Sequence, residues 1–354
     1  MSQSRTESPK TLRAGLWLVV AAVVAGIAIL VRRGTQSGFD WTLFRTTILA
    51  AHWGWLAAAW GCAVLSYWGR SERWLVMLRP LAPRAASWAV FRDTAIGYTA
   101  LTLFGRPGEI VRPWLIARTN SVPLSSQLSA WVLERIYDTL IVLGIFGFAL
   151  LSASSAATIS HPGIRWIVDA GGASVGLLAI VCLAVLIALH GAPHALEARL
   201  HALATVLPET GRDRASRFIE SLLSTLRAAN SWSAVLSLLG WSIVEWAILI
   251  SAYVAIFQAF PETRQLTLVQ TLTFLGFVSF GSIVQIPGVG GGVQLASILV
   301  LTEFFHFPLA ASTGIALAAW AVSFVGIMPL GLLFALQQGL SWAQLKSATK
   351  EIAP

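Results

Sequence analysis

Charge is what this chain most lacks: Asp, Glu, Lys and Arg supply 11% of its 354 residues, against 56% hydrophobic side chains. Soluble domains are about one-quarter charged, so a water-borne globular protein is excluded and an integral membrane protein is indicated. Cysteine is nearly absent too. Cys62 and Cys182 both fall in apolar runs, which excludes a disulfide framework. His190 and His194 are four apart with no third ligand near them, so no metal site is expected. The glycine-rich run 287–293 (PGVGGGV) lacks the Lys-Ser/Thr of a phosphate loop and the third glycine of GxGxxG, and no strand precedes it. Nucleotide binding is thereby excluded. No nucleophile stands beside a base, so no catalytic residues and no cofactor are expected.

Long apolar runs take the place of all this. Spanning hydrocarbon takes about 20 apolar residues. The runs 14–31, 46–68, 127–151, 164–189, 232–257 and 309–337 qualify. The first carries no small-residue cleavage site before Arg32-Arg33 and reads as an uncleaved span. Sixteen tryptophans suit membrane interfaces, with some packing between helices. The net charge of +8 reads as cytoplasmic loops rather than as a nucleic-acid surface. Two segments are rich in arginine: 69–92 (Arg70, Arg73, Arg79, Arg84, Arg92) and 190–231. By the positive-inside rule both are expected in the cytoplasm, with both termini there as well. Within 190–231, Phe218, Leu222 and Leu226 form an apolar stripe at helical spacing, expected to lie on the membrane surface.

Two apolar stretches are broken. Residues 93–118 fall about a dozen each side of Gly105-Arg106-Pro107-Gly108, and neither half is long enough to cross. They predict a re-entrant helical hairpin, tolerated at depth only where buried in protein or lining a wet cavity. Residues 266–305 break at Pro287, Gly288 and Gly290 and predict a second hairpin, with two short spans as the alternative. A gap-free offset of 185 residues pairs Gly105 with Gly290, Pro123 with Pro308 and Leu124 with Leu309. The offset sets the inward-running second span against the outward-running fifth, so the two copies are inverted. The expected fold is an all-α polytopic membrane protein of about six spans plus two hairpins. It is one membrane domain over 1–354, divided into 1–45 (first span and linker), 46–151 (first repeat), 152–231 (fourth span and amphipathic segment), 232–337 (second repeat) and 338–354 (cytoplasmic tail).

Ionisable groups inside hydrocarbon are costly and mark a path or a site. Arg106, Glu109 and Arg112 surround the first break, with Glu109 and Arg112 three apart and on one helical face. They suit either an internal salt bridge that closes the hairpin or a lipid phosphate gripped by guanidinium forks. In the favoured mixture, Glu109 orients one arginine and leaves the other for ligand. Glu134, Arg135 and Asp138 fall in the third span; counted from Gln127, the two acids lie about 10–17 Å deep at 1.5 Å per residue. They need cationic partners there, and Arg106 or Arg112 are the natural ones. Glu245, alone in mid-span, either stays protonated or meets an arginine of the other repeat.

These residues, in this order, resemble the lysylphosphatidylglycerol synthase transmembrane family, also described as flippase-like. The resemblance rests on Arg106-Pro107-Gly108-Glu109 with Arg112, on Glu134-Arg135 with Asp138, and on the turn from Pro287 to Gly290, and it covers about 46–337. It implies a helical protein concerned with lipid or lipid-linked substrates, with translocation the activity ascribed to the best-known branch. Two departures stand out. The second half holds Gln294 and Trp320 where the family commonly has a glutamate and an arginine. The soluble aminoacyl-transfer domain of bifunctional members is not part of the match, so lysyl transfer is not expected.

The reading is a bacterial inner-membrane protein that binds an anionic lipid headgroup between inverted repeats and moves it between leaflets. Arg106, Glu109, Arg112, Glu134, Arg135, Asp138 and Glu245 would form the site. Its partner is membrane lipid, with neither nucleic acid nor nucleotide involved. The rivals are an enzyme acting on a polyprenyl- or isoprenoid-linked substrate and a non-catalytic accessory of envelope lipid synthesis.

Overall fold

The structure, a computed structural model, describes residues 39–154, 177, 178, 180–182, 184, 220, 232–282, 285, 286, 290–340, 344 and 345. The expected first span, almost all of the fourth and of the amphipathic segment, and Pro287 and Gly288 lie outside them.

The described chain is helical apart from one two-residue ladder. Helix α1 (Trp41–Leu49) begins at Asp40, whose carboxylate accepts from the Leu43 N–H at 2.8 Å. It meets α2 (Trp53–Leu78) at a bend of 77°. At that bend the His52 N–H donates to the Ala259 carbonyl at 2.8 Å, which pairs this donor across to the end of another helix. The expected second span (46–68) is therefore displaced: α2 starts later and runs ten residues further, into what was expected to be a cytoplasmic loop. Helix propensity explains the extension, because nothing between Gly69 and Leu78 breaks a helix, and Pro80 is the first residue that does.

Helix α3 (Ser87–Phe104) ends at Gly105, which adopts φ 69°, ψ −151°, a conformation open only to glycine. A tight 3₁₀ turn over Arg106–Ile110 leads into α4 (Val111–Thr119), which folds back along α3. The return is close. A Cβ at Gly97 would overlap the backbone and Cβ of Arg112, and one at Gly108 would overlap the Ala100 carbonyl. Helix α5 (Leu124–Ser154) follows; its 31 residues reach about 46 Å, ample for a core about 30 Å thick.

Helix α6 (Trp232–Ala259) runs antiparallel to α2: His52 meets Ala259 at one end, while Arg73 meets Ser242 near the other. Helix α7 (Leu268–Gly281) opens on a reciprocal cap between Thr267 and Gln270. The chain then reverses through a ladder of β1 (Gln285–Ile286) and β2 (Gly290–Gly291), which was not expected from sequence. Helix α8 (Gly292–Leu299) returns against α7, with Gly281 so close to Ala296 that any side chain there would clash. Helices α9 (Leu309–Trp320) and α10 (Met328–Gln337) make one apolar stretch, joined by a widened turn over Ala321–Val325. Widening frees backbone carbonyls, and α2 supplies their donors: Tyr67 to Ser323 at 2.7 Å and the Trp60 indole to Gly326 at 2.9 Å.

Among the described residues, Ser233–Ala259 and Leu309–Gln337 are long and apolar enough to cross a bilayer, and the bent pair α1–α2 adds a third when taken together. Packing between the two halves is reciprocal. Helix α2 lies along α6, α3 along α10, and α7 along α5.

Candidate functional site

Four helices direct charge at one point. From α2 come Arg70 and Arg73, three residues apart and therefore on one face. From α4 comes Arg112, from α5 Glu134, Arg135 and Asp138, and from α6 Glu245. Arg73 sits at the centre with no solvent exposure: its guanidinium reaches Glu134 at 2.7 Å, Asp138 at 2.6 Å, Glu245 at 3.3 Å and the Ser242 hydroxyl at 3.1 Å. Arg70 bridges Glu245 at 2.7 Å and stands 3.7 Å from Asp138. Arg112 holds the other oxygen of Glu134 at 2.5 Å and lies 4.0 Å over the Trp74 ring. Tyr98 on α3 accepts from Arg70 at 3.0 Å and from Arg112 at 3.2 Å.

Buried charges survive in a low-dielectric interior only when paired, and this cluster shares each carboxylate between guanidinium groups. Both Glu245 oxygens and the Nε–H groups of Arg73, Arg112 and Arg135 are nevertheless left without hydrogen bonds among the described residues. It grades from dry to wet. Arg73, Glu134 and Glu245 are wholly buried, whereas the Arg135 side chain is 42% exposed. Arg135 reaches Asp138 at 3.1 Å and Glu134 at 3.6 Å, and opens with Arg112 onto a small cleft. Gly97, Tyr98, Leu101, Glu109 and Trp131 complete its wall.

The sequence-derived residues do not all meet. Arg112, Glu134, Arg135, Asp138 and Glu245 converge on the cluster. Arg106 does not. It pairs with Glu109 and donates to the Ser282 carbonyl at 2.9 Å, linking the first break to the C-terminal end of α7. A cation is well placed at such an end, where helix carbonyls lack intrahelical partners. The expected pairing of Glu109 with Arg112 on one face fails for a local reason: residues 106–110 form a 3₁₀ turn, and α-helical spacing begins only at Val111. Arg112 is held by Glu134 through one terminal nitrogen, and its Nε–H has no acceptor among the described residues. Gly105, Pro107 and Gly108 form the first turn as expected, and Gly290 pairs with Ile286 at the second break. Gln294, standing where a glutamate was expected, accepts from the Gly291 N–H at 2.8 Å and caps α8.

Two central residues escaped the sequence reading. Arg70 and Arg73 were counted as cytoplasmic-loop charge. The available signal was their three-residue spacing in an unbroken helical continuation of the second span.

This is a helical integral membrane protein with an ion cluster buried among its helices. The chain belongs to the family of the lysylphosphatidylglycerol synthase TM region, whose model matches residues 16–331, and so to the membrane proteins of lipid metabolism. No curated protein and no solved structure matches it.

Proposed function

We propose that the protein binds the headgroup of an anionic lipid in the cleft at Arg112 and Arg135 and carries it between leaflets of the bacterial inner membrane. The observation that carries the reading is a cleft with largely apolar walls onto which two guanidinium groups, Arg112 and Arg135, open while buried carboxylates hold them. Such a frame presents cationic forks to a phosphate without their collapsing into solvent. The carrier is an inverted repeat of two broken-helix units. The antiparallel run of α2 and α6 supports this, as does the reciprocal packing of α3 on α10 and of α7 on α5. Reciprocal contacts of this kind are what a two-fold relation between halves requires. In this reading the protein is a carrier rather than a catalyst, with about six spans and both termini in the cytoplasm.

The test is a leaflet assay on purified protein in vesicles carrying a reporter lipid that a membrane-impermeant reductant can quench. Protein-dependent movement that disappears in Arg112→Ala and Glu134→Gln, both checked for folding by thermal unfolding, supports the carrier. Well-folded wild-type protein that moves no lipid contradicts it.

A further inference from the structure

We propose that the cleft selects a headgroup bearing one negative charge, a phosphodiester with no further ionised group, and that Arg135 sets this selection. The inference rests on the carrier reading above and narrows its substrate class.

Charge balance is the first observation. Among the described residues the cluster holds four guanidinium groups (Arg70, Arg73, Arg112, Arg135) against three carboxylates (Glu134, Asp138, Glu245), one positive charge in surplus. Arg106 and Glu109 cancel one another nearby. A surplus charge among membrane helices is costly until a counter-charge arrives.

The second observation is where the surplus lies. Each carboxylate already faces at least two guanidinium groups, and Arg135 is the exposed member, whose closest pair, 3.1 Å, is longer than the closest pair of any of the other three. The third is a set of donors with nothing to donate to. The buried Nε–H groups of Arg112 and Arg135 find no acceptor among the described residues. Tyr98 already accepts from Arg70 and Arg112, so its own proton must point elsewhere. All three residues line the cleft. Two phosphate oxygens could accept these donors and cancel the surplus together.

The same geometry sets the limits. A second negative charge would face the Glu109 carboxylate in the cleft wall. A cationic substituent would find no carboxylate that is not already paired with arginine.

The test uses full-length protein in phosphatidylcholine vesicles doped with one reporter lipid at a time: phosphatidylglycerol (singly anionic), phosphatidylethanolamine (zwitterionic), lysyl-phosphatidylglycerol (net cationic) or phosphatidic acid (a phosphomonoester). Wild type is expected to move phosphatidylglycerol about tenfold faster than the others, the worth of one charge-assisted hydrogen bond. Arg135→Gln removes the surplus and should level the ranking. Glu109→Gln adds a positive charge and should shift it towards the phosphomonoester. A flat ranking in wild type overturns the inference, as does an unchanged ranking in Arg135→Gln with an unchanged unfolding temperature. Retention of the same lipids by detergent-purified protein, read by native mass spectrometry, separates the two claims. Ranked retention without movement overturns the carrier reading alone, whereas ranked movement sustains both. Soluble glycerophosphoglycerol that binds as tightly as the lipid would overturn the lipid assignment in favour of a soluble phosphodiester.

Discussion

At the scale of single residues, Arg73 is the keystone of the cluster, and its partners bound what any substitution does. Removing one member of a buried ion pair leaves the other uncompensated, at about 3–5 kcal/mol, whereas replacing both with apolar groups is often nearly neutral. Arg70→Met and Glu245→Leu should therefore each lower the unfolding temperature in detergent. The double variant should recover most of the loss, because Arg73 keeps Glu134 and Asp138. A double variant as unstable as the sum of the singles would mean that the pair is not coupled. The acids were legible in the sequence because carboxylates in mid-span stand out against apolar neighbours. Arg70 and Arg73 were not. The positive-inside rule counts charge near span ends and is blind to whether a helix continues, so it assigned buried arginines to water.

At the scale of elements, the two breaks decide what can meet. Hairpin return depends on close approach, since α4 reaches Glu134 only because Gly97 lets Arg112 lie against α3. Gly97→Ala should push α4 outward, cost about 1–3 kcal/mol of packing strain and abolish lipid movement. Gly144→Ala, with open space around it, should leave unfolding temperature and movement unchanged. Equal behaviour of the two variants would sink the hairpin account. The first break was readable because Gly105-Arg106-Pro107-Gly108 splits an apolar run into halves too short to cross. The partner of Arg106 was not. Its bond to the Ser282 carbonyl joins residues 176 apart in sequence, and a backbone acceptor leaves no trace in residue identity.

At the scale of the whole molecule, charge is unevenly placed along the chain. The 185-residue offset places Glu109 against Gln294 and Arg135 against Trp320, and every cluster residue but Glu245 comes from the first half. The proposed repeat rests on this spacing, and α5 and α9 begin at the paired residues Leu124 and Leu309. The bend between α1 and α2 was hidden, because an apolar stretch reads alike whether straight or folded. The proposed inversion has a direct consequence. Cysteine at Arg84, beyond α2, should react with an impermeant thiol reagent only from the cytoplasmic side, and cysteine at Arg264, beyond α6, only from the outside. Labelling of both from one side would rule out antiparallel crossings.

The account stands most directly on where a headgroup rests. Phosphatidylglycerol with a photoreactive headgroup, cross-linked in proteoliposomes and mapped by peptide mass spectrometry, measures this. Adducts on the cleft wall at Leu101 and Trp131, lost in Arg112→Ala, are the expected result. Adducts confined to outward-facing residues such as Trp53 and Leu65, unchanged by that substitution, would contradict it.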